Sequence, residues 1–198
     1  MTEENLLIDN DEYLKSGVHI GTKFKTKYME KFIYKTRPDG LSVLNVQQID
    51  ERIKVAANML SNYKPADIMV VCRRENGWKS VRKFAEIIGC QFYAGRYPPG
   101  VLTNSSLRNF QETKVLLVID SWPDRNAVKD AIKIGIPIIA ISDTNNQSNN
   151  IDLVIPGNNK GKKSLGLIFY LLAREYAFKT DMIQESSWDY KIDEFSEE

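Results

Sequence analysis

Between residues 43 and 155, short runs of consecutive apolar, often β-branched residues alternate with longer stretches in which apolar residues recur every three or four positions. The runs have strand length and the longer stretches have helical period, so the pattern predicts a βαβ succession. The clearest strands are DIMVVC (67–72), KVLLVID (114–120), IPIIAIS (136–142) and IDLVIP (151–156), with weaker ones at LSVLNV (41–46) and CQFYAG (90–95). Successive strand residues point to opposite faces, so a continuous apolar run has to be covered on both sides, as parallel sheets are.

Helical stripes occupy the intervals. Ile49, Ile53, Ala56, Ala57, Leu60 and Tyr63 form one, and Trp78, Val81, Ala85 and Ile88 form the next. A third helix is predicted over about 123–134, with Ser121 and Asp124 spaced as a capping box and Gly135 as the stop. A fourth is predicted over about 163–178, on Leu165, Ile168, Leu172 and Tyr176. The alternation specifies a doubly wound α/β fold of the Rossmann or flavodoxin-like kind, a mostly parallel sheet with helices on both faces. The chain divides into an N-terminal helix and basic arm (1–40), an α/β domain (41–178) and an acidic C-terminal tail (179–198), the tail expected to be solvated or bound to a partner.

Composition narrows the class. A chain of 198 residues with 42% hydrophobic and 27% charged residues can bury one core without staples. Cys72 and Cys90 are too few for a disulfide framework and lack metal-ligand spacing, so both are expected reduced and buried, in the cytoplasm. The acidic start MTEENLLIDNDEYLK does not resemble a signal sequence, and no apolar run reaches the roughly 18–20 residues of a membrane span, so no membrane role is expected.

A catalytic group in an open α/β sheet belongs just beyond the strand ends, where Asp120 and Asp143 fall. Two carboxylates there can hold Mg²⁺ or act as acid and base, and the same residue type is also a common turn former. PGNNKGKKS (156–164) fails as a phosphate-binding loop, since Pro156 stands where the first glycine belongs and Lys163 where the hydroxyl should be. No G-x-G-x-x-G follows a strand. His19 is the sole histidine, which excludes His-rich metal sites and reads best as a packing or phosphate contact.

The net charge of +1 conceals local excess. In HIGTKFKTKYMEKFIYKTRPDG (19–40), Lys23, Lys25, Lys27, Lys31, Lys35 and Arg37 alternate with Phe24, Tyr28, Phe32 and Tyr34. Cations neutralise phosphates and rings stack on exposed bases, so the mixture suits RNA; a solvated loop anchored by its aromatics is the alternative. Lys160, Lys162 and Lys163 gather at the start of the fourth helix, where unpaired amides add positive charge. Arg96 sits in the Pro- and Gly-stiffened loop GRYPPGVLTN (95–104). Three basic loops favour a polyanion over a small phosphate ligand.

GVHIGTKFKTKYMEKFIYKTRPDGLSVLNV (17–46), GRYPPGVLTN, and DLVIPGNNKGKKSLGLIFYLLAREY (152–176) resemble the small-subunit ribosomal proteins of the universal S-two family, in its archaeal and eukaryotic branch. The likeness runs from about residue 10 to residue 178, without room for the helical hairpin that bacterial relatives insert. The resemblance implies a non-catalytic structural constituent of the small ribosomal subunit, without cofactor, metal or small-molecule substrate. It would bind small-subunit ribosomal RNA and neighbouring small-subunit ribosomal proteins in assembly and translation. The family's RNA-facing segments carry over onto Lys23, Lys25, Lys27, Lys31, Lys35, Arg37, Arg96, Lys160, Lys162 and Lys163. After VLLVID, where relatives usually read D-P-R-A-D-R, this chain has DSWPDRNA (120–127), keeping Arg125 and placing a Trp-Pro pair where the inner arginine would be. Two readings stand beside this one: an enzyme of small phosphorylated substrates using Asp120 and Asp143, and a free-standing RNA-binding module.

Overall fold

The computed structural model describes residues 6–196. Five strands, β3 (Ile68–Cys72), β4 (Gln91–Ala94), β5 (Val115–Val118), β6 (Ile138–Ser142) and β7 (Leu153–Pro156), form one parallel sheet in the order β4-β3-β5-β6-β7. Relative to chain order this is the 2-1-3-4-5 arrangement of flavodoxin-like folds. Every residue of β3, β5, β6 and β7 is buried, whereas β4, at the edge, is only half covered. That difference explains why CQFYAG is the weaker signal in the sequence.

Alternate residues of each strand feed two cores. Ile68, Val70, Cys72, Leu117 and Ile141 face α2 (Val46–Leu60), α3 (Trp78–Ile88) and α5 (Lys162–Lys179). Met69, Val71, Leu116, Val118 and Ala140 face α4 (Arg125–Ile134) and the loop bearing Tyr97, Val101 and Leu102. The α/β layering expected from the pattern is therefore present. Eleven of the 18 residues of α5 are buried, because α2, α3 and the C-terminal segment surround it. Burial pushes the thiols of Cys72 and Cys90 up to about 12, so both remain protonated, inert packing groups at neutral pH.

Three details differ from the sequence reading. Asp124 and Ser121 do not form a capping box: no side chain caps α4, the Asp124 carboxylate accepts the Arg73 N–H (3.4 Å), and Ser121 Oγ donates to the Gln147 carbonyl (3.2 Å). Partners distant in sequence outcompete the local cap. Gly135 does end the helix, in the left-handed region at φ 76.

Residues 17–45 are packed and structured. A short 3₁₀ turn over Met29–Phe32 leads into β1 (Ile33–Thr36), which pairs antiparallel with β2 (Ser42–Leu44) in a hairpin separate from the main sheet. Val18, Met29, Phe32 and Leu44 pin this unit to the core. Before it, α1 (Asn10–Ser16) is tied to α2 through Asp50, which accepts from the Leu7 N–H (2.9 Å) and the Tyr13 hydroxyl and pairs with Lys54 (2.7 Å).

The described part of the acidic tail docks on its own chain. Phe195 is fully buried beside Tyr170, and Trp188 stacks edge-on against Tyr170, Phe178 and Tyr190. Ser80 Oγ donates to the Phe195 carbonyl (2.7 Å), Lys79 to the Ser196 carbonyl (3.0 Å), and Lys83 pairs with Glu194 (3.2 Å). Gly166 makes this possible: a Cβ there would lie 3.1–3.2 Å from Phe195 and Ser196.

Candidate nucleic-acid interface

The carboxyl ends of the parallel strands, where such folds bind ligands, are occupied by the protein's own polar side chains. At the crossover between β3 and β5, Arg74 grips Asp120 through Nε (2.9 Å) and a still closer second nitrogen. Asp120 also accepts from Asn146 Nδ2 (2.7 Å) and the Trp122 N–H (3.1 Å). Asn146 Oδ1 accepts from the Asp143 N–H (2.9 Å) and Asn159 Nδ2 (3.1 Å), and that same Asn159 amide reaches the carbonyls of Ile119 (3.1 Å) and Ile141 (3.2 Å). Lys160 Nζ pairs with Asp143 at 2.8 Å.

The two candidate carboxylates thus lie at the strand ends as predicted, each buried and each neutralised by a cation. They act as crosslinks: the network ties together the ends of β3, β5, β6 and β7, with each carboxylate buried and its cation partly exposed to solvent. Among the described residues, no group of three or more His, Cys, Asp or Glu side chains could hold a metal ion. Asp124 lies alongside, buried, with Oδ1 lacking a partner; burial lifts its carboxyl from 3.8 to about 7.

The basic residues lie around this plug. Thr22 N–H donates to Thr144 Oγ1 (2.9 Å), Thr26 N–H to the Thr144 carbonyl (2.9 Å), and Thr26 Oγ1 to the Asn146 carbonyl (3.0 Å). Residues 22–26 are therefore fastened to the loop after β6, the same loop that Lys160 reaches through Asp143 and Asn145. Lys23, Lys25, Lys27, Lys31, Lys35 and Arg37 all have exposed side chains on this one structured unit. Lys25 pairs with Glu30 (3.5 Å) and Arg37 with Asp39 (3.3 Å), both in solvent, where pairing is weak and exchangeable.

Rings and cations are interleaved in space as well as in sequence. Lys31 Nζ stands 3.8 Å from the centre of the Tyr28 ring and Lys35 Nζ 5.9 Å from that of Tyr34. Phe24 is 80% exposed and Tyr34 70%, so both present ring faces to solvent. Phe32, by contrast, is an anchor. His19 lines a groove of about 1130 Å³ with Tyr34, Lys35 and Arg37, its Nδ1 buried without a partner.

The remaining basic residues are not all equivalent. Lys162 and Lys163 are exposed at the first turn of α5, whose N-terminus has no side-chain cap; Asn158 Oδ1 instead receives the Lys160 and Gly161 N–H groups. Lys160 is committed to Asp143 and contributes less positive potential than its position suggests. Arg96 is exposed at the opposite edge of the sheet, after β4, on a loop that Asp130 braces through the Tyr97 hydroxyl (3.2 Å) and the Gly100 N–H (2.7 Å). The structure joins the 23–37 residues and places 160–163 near them; Arg96 stands apart. Arg74, Asn146 and Asn159 escaped the sequence reading because their partners are 13 to 46 residues away. Trp122, 73% exposed, left a signal in the Trp-Pro pair.

Comparison with known proteins gives a consistent result. The family model for ribosomal protein S2 matches residues 13–114 and 108–177. The chain is 48% identical over 197 residues to the small ribosomal subunit protein uS2 of Methanococcus maripaludis, covering all of this chain and 89% of that protein. It is 46% identical over 194 residues to that of Thermoplasma acidophilum, covering 98% of each, and 51% identical over 170 residues to that of Saccharolobus solfataricus, covering 86% of this chain and 74% of the relative.

Proposed function

The chain belongs to the ribosomal protein S2 family, and from that premise we propose that it is a structural constituent of the small ribosomal subunit, in the cytoplasm, holding small-subunit ribosomal RNA and neighbouring ribosomal proteins in place during assembly and translation. It acts by binding, without catalysis. The observation that carries the RNA part is the packed unit of residues 17–45, which presents six cationic side chains and the exposed rings of Phe24 and Tyr34 from a scaffold fixed to the sheet. Each ammonium or guanidinium that meets a phosphate releases a counterion, and a prefolded scaffold avoids the entropy of ordering a loose arm on binding. Lys162 and Lys163 at the open end of α5 extend the same surface, and Arg96 makes a separate contact. The engaged carboxylates Asp120 and Asp143 support the non-catalytic reading, since both already hold cations of the chain.

The salt dependence of RNA binding tests this. Replacing Lys23, Lys27 and Lys35 together by alanine reduces the slope of log affinity against log salt by roughly 0.7–0.9 for each phosphate left without its cation. Filter binding of the full chain to small-subunit ribosomal RNA between low and moderate salt reads the slope directly. An unchanged slope removes this unit from the RNA interface.

A further inference from the structure

We propose that Trp122 and the loops beside it form a stacking site for an unpaired RNA base, a proposal that rests on the ribosomal RNA reading above. The indole is 73% exposed, so it contributes little to the core. Its backbone is nonetheless held firmly: the Trp122 N–H donates to Asp120 Oδ1 (3.1 Å), Ser121 Oγ donates to the Gln147 carbonyl (3.2 Å), and Pro123 restricts the conformation of residue 122. A large ring in water on a braced loop is preorganised for a flat ligand.

Beside the ring opens a cavity of about 410 Å³ lined by Arg74, Asn145, Gln147 and Asn149. Side-chain amides both donate and accept, which is what base edges require. The carboxylates at the strand ends are buried and neutralised by Arg74 and Lys160, and no exposed carboxylate lines the cavity among the described residues. Arg73, whose N–H bonds to Asp124, and Arg125, which follows Asp124 in the chain, are both exposed and available to the phosphates that flank a bound base. Among the described lining residues, Val128 is the single apolar side chain besides Trp122. A protein-docking tryptophan is normally set in a wider apolar patch, whereas an isolated ring amid amides and cations matches single-stranded RNA.

The full chain, its Trp122→Ala variant and its Trp122→Phe variant are titrated with purified small-subunit ribosomal RNA. Because the indole is exposed, both variants keep the core intact. The alanine variant binds on the order of tenfold more weakly, phenylalanine restores most of the loss, and the salt slope is unchanged because no charge has been removed. In the wild type, RNA quenches tryptophan emission and shields it from acrylamide; the phenylalanine variant, which retains Trp78 and Trp188, lacks that component. Equal affinity of the alanine variant overturns the proposal. So does an indole that stays open to acrylamide in the RNA complex and is shielded only on addition of other small-subunit proteins, which marks a protein contact. A wild type that fails to bind the RNA at all overturns the ribosomal reading itself, a different outcome from tight binding that ignores Trp122.

Discussion

Asp124 is buried, with one carboxylate oxygen on the Arg73 N–H and the other unpartnered. Burial dominates, with the Arg73 N–H only partly opposing it and the charge of Asp120 adding to it, so the acid is lifted from 3.8 to about 7. A carboxyl raised in the native state contributes stability that is complete below about pH 4 and is lost as pH rises through about 7, a difference of roughly 4 kcal/mol. Asp124→Asn keeps the shape and removes the charge. Denaturant unfolding at pH 5 and pH 8 should show the wild type losing about 2–3 kcal/mol more than the variant across that interval, since part of the loss is already complete at pH 5; equal losses would show that Asp124 is ionised without penalty. At this scale the sequence was legible for residue type and poorly legible for state. Asp120 and Asp143 could be placed at strand ends from the pattern, but their neutralisation by Arg74 and Lys160 depends on crossovers that no local window contains.

Elements whose burial is continuous declared themselves. β3, β5, β6 and β7 are apolar on both faces because helices cover both, and α2 and α3 carry stripes because only one side of each meets the sheet. The β1–β2 hairpin is attached by single anchors, Val18, Met29, Phe32 and Leu44, separated by exposed cations, so it leaves no periodic signal. The C-terminal segment has the same form, with acidic residues outward and Trp188 and Phe195 inward. Composition suggests a solvated tail, but a few aromatic contacts and the gap at Gly166 are enough to dock it. Phe195→Ala should therefore cost about 3–5 kcal/mol in urea unfolding, the range for a buried phenylalanine. A cost below about 1 kcal/mol would mean that the tail is not part of the native core in solution.

For the molecule as a whole, a formal charge of +1 does not describe what a partner meets. Part of the negative charge lies in solvent-exposed carboxylates and part is buried at the strand ends against Arg74 and Lys160, while Lys23 to Arg37 project from one rigid unit. Local potential governs association with phosphates, so a near-neutral chain can bind RNA through its locally basic surfaces and leave the rest for protein neighbours. The flavodoxin-like sheet supplies the platform, the Asp120–Asn146–Asn159 network crosslinks the strand ends in its crevice, and the recognition surfaces proposed above are on the loops and the hairpin around it. The most direct test of a ribosomal role is sedimentation of a cell lysate through a density gradient, with and without ribonuclease, following this chain. Co-migration with small ribosomal subunits that disappears when RNA is digested is the expected result; migration as a lone protein under both conditions would contradict it.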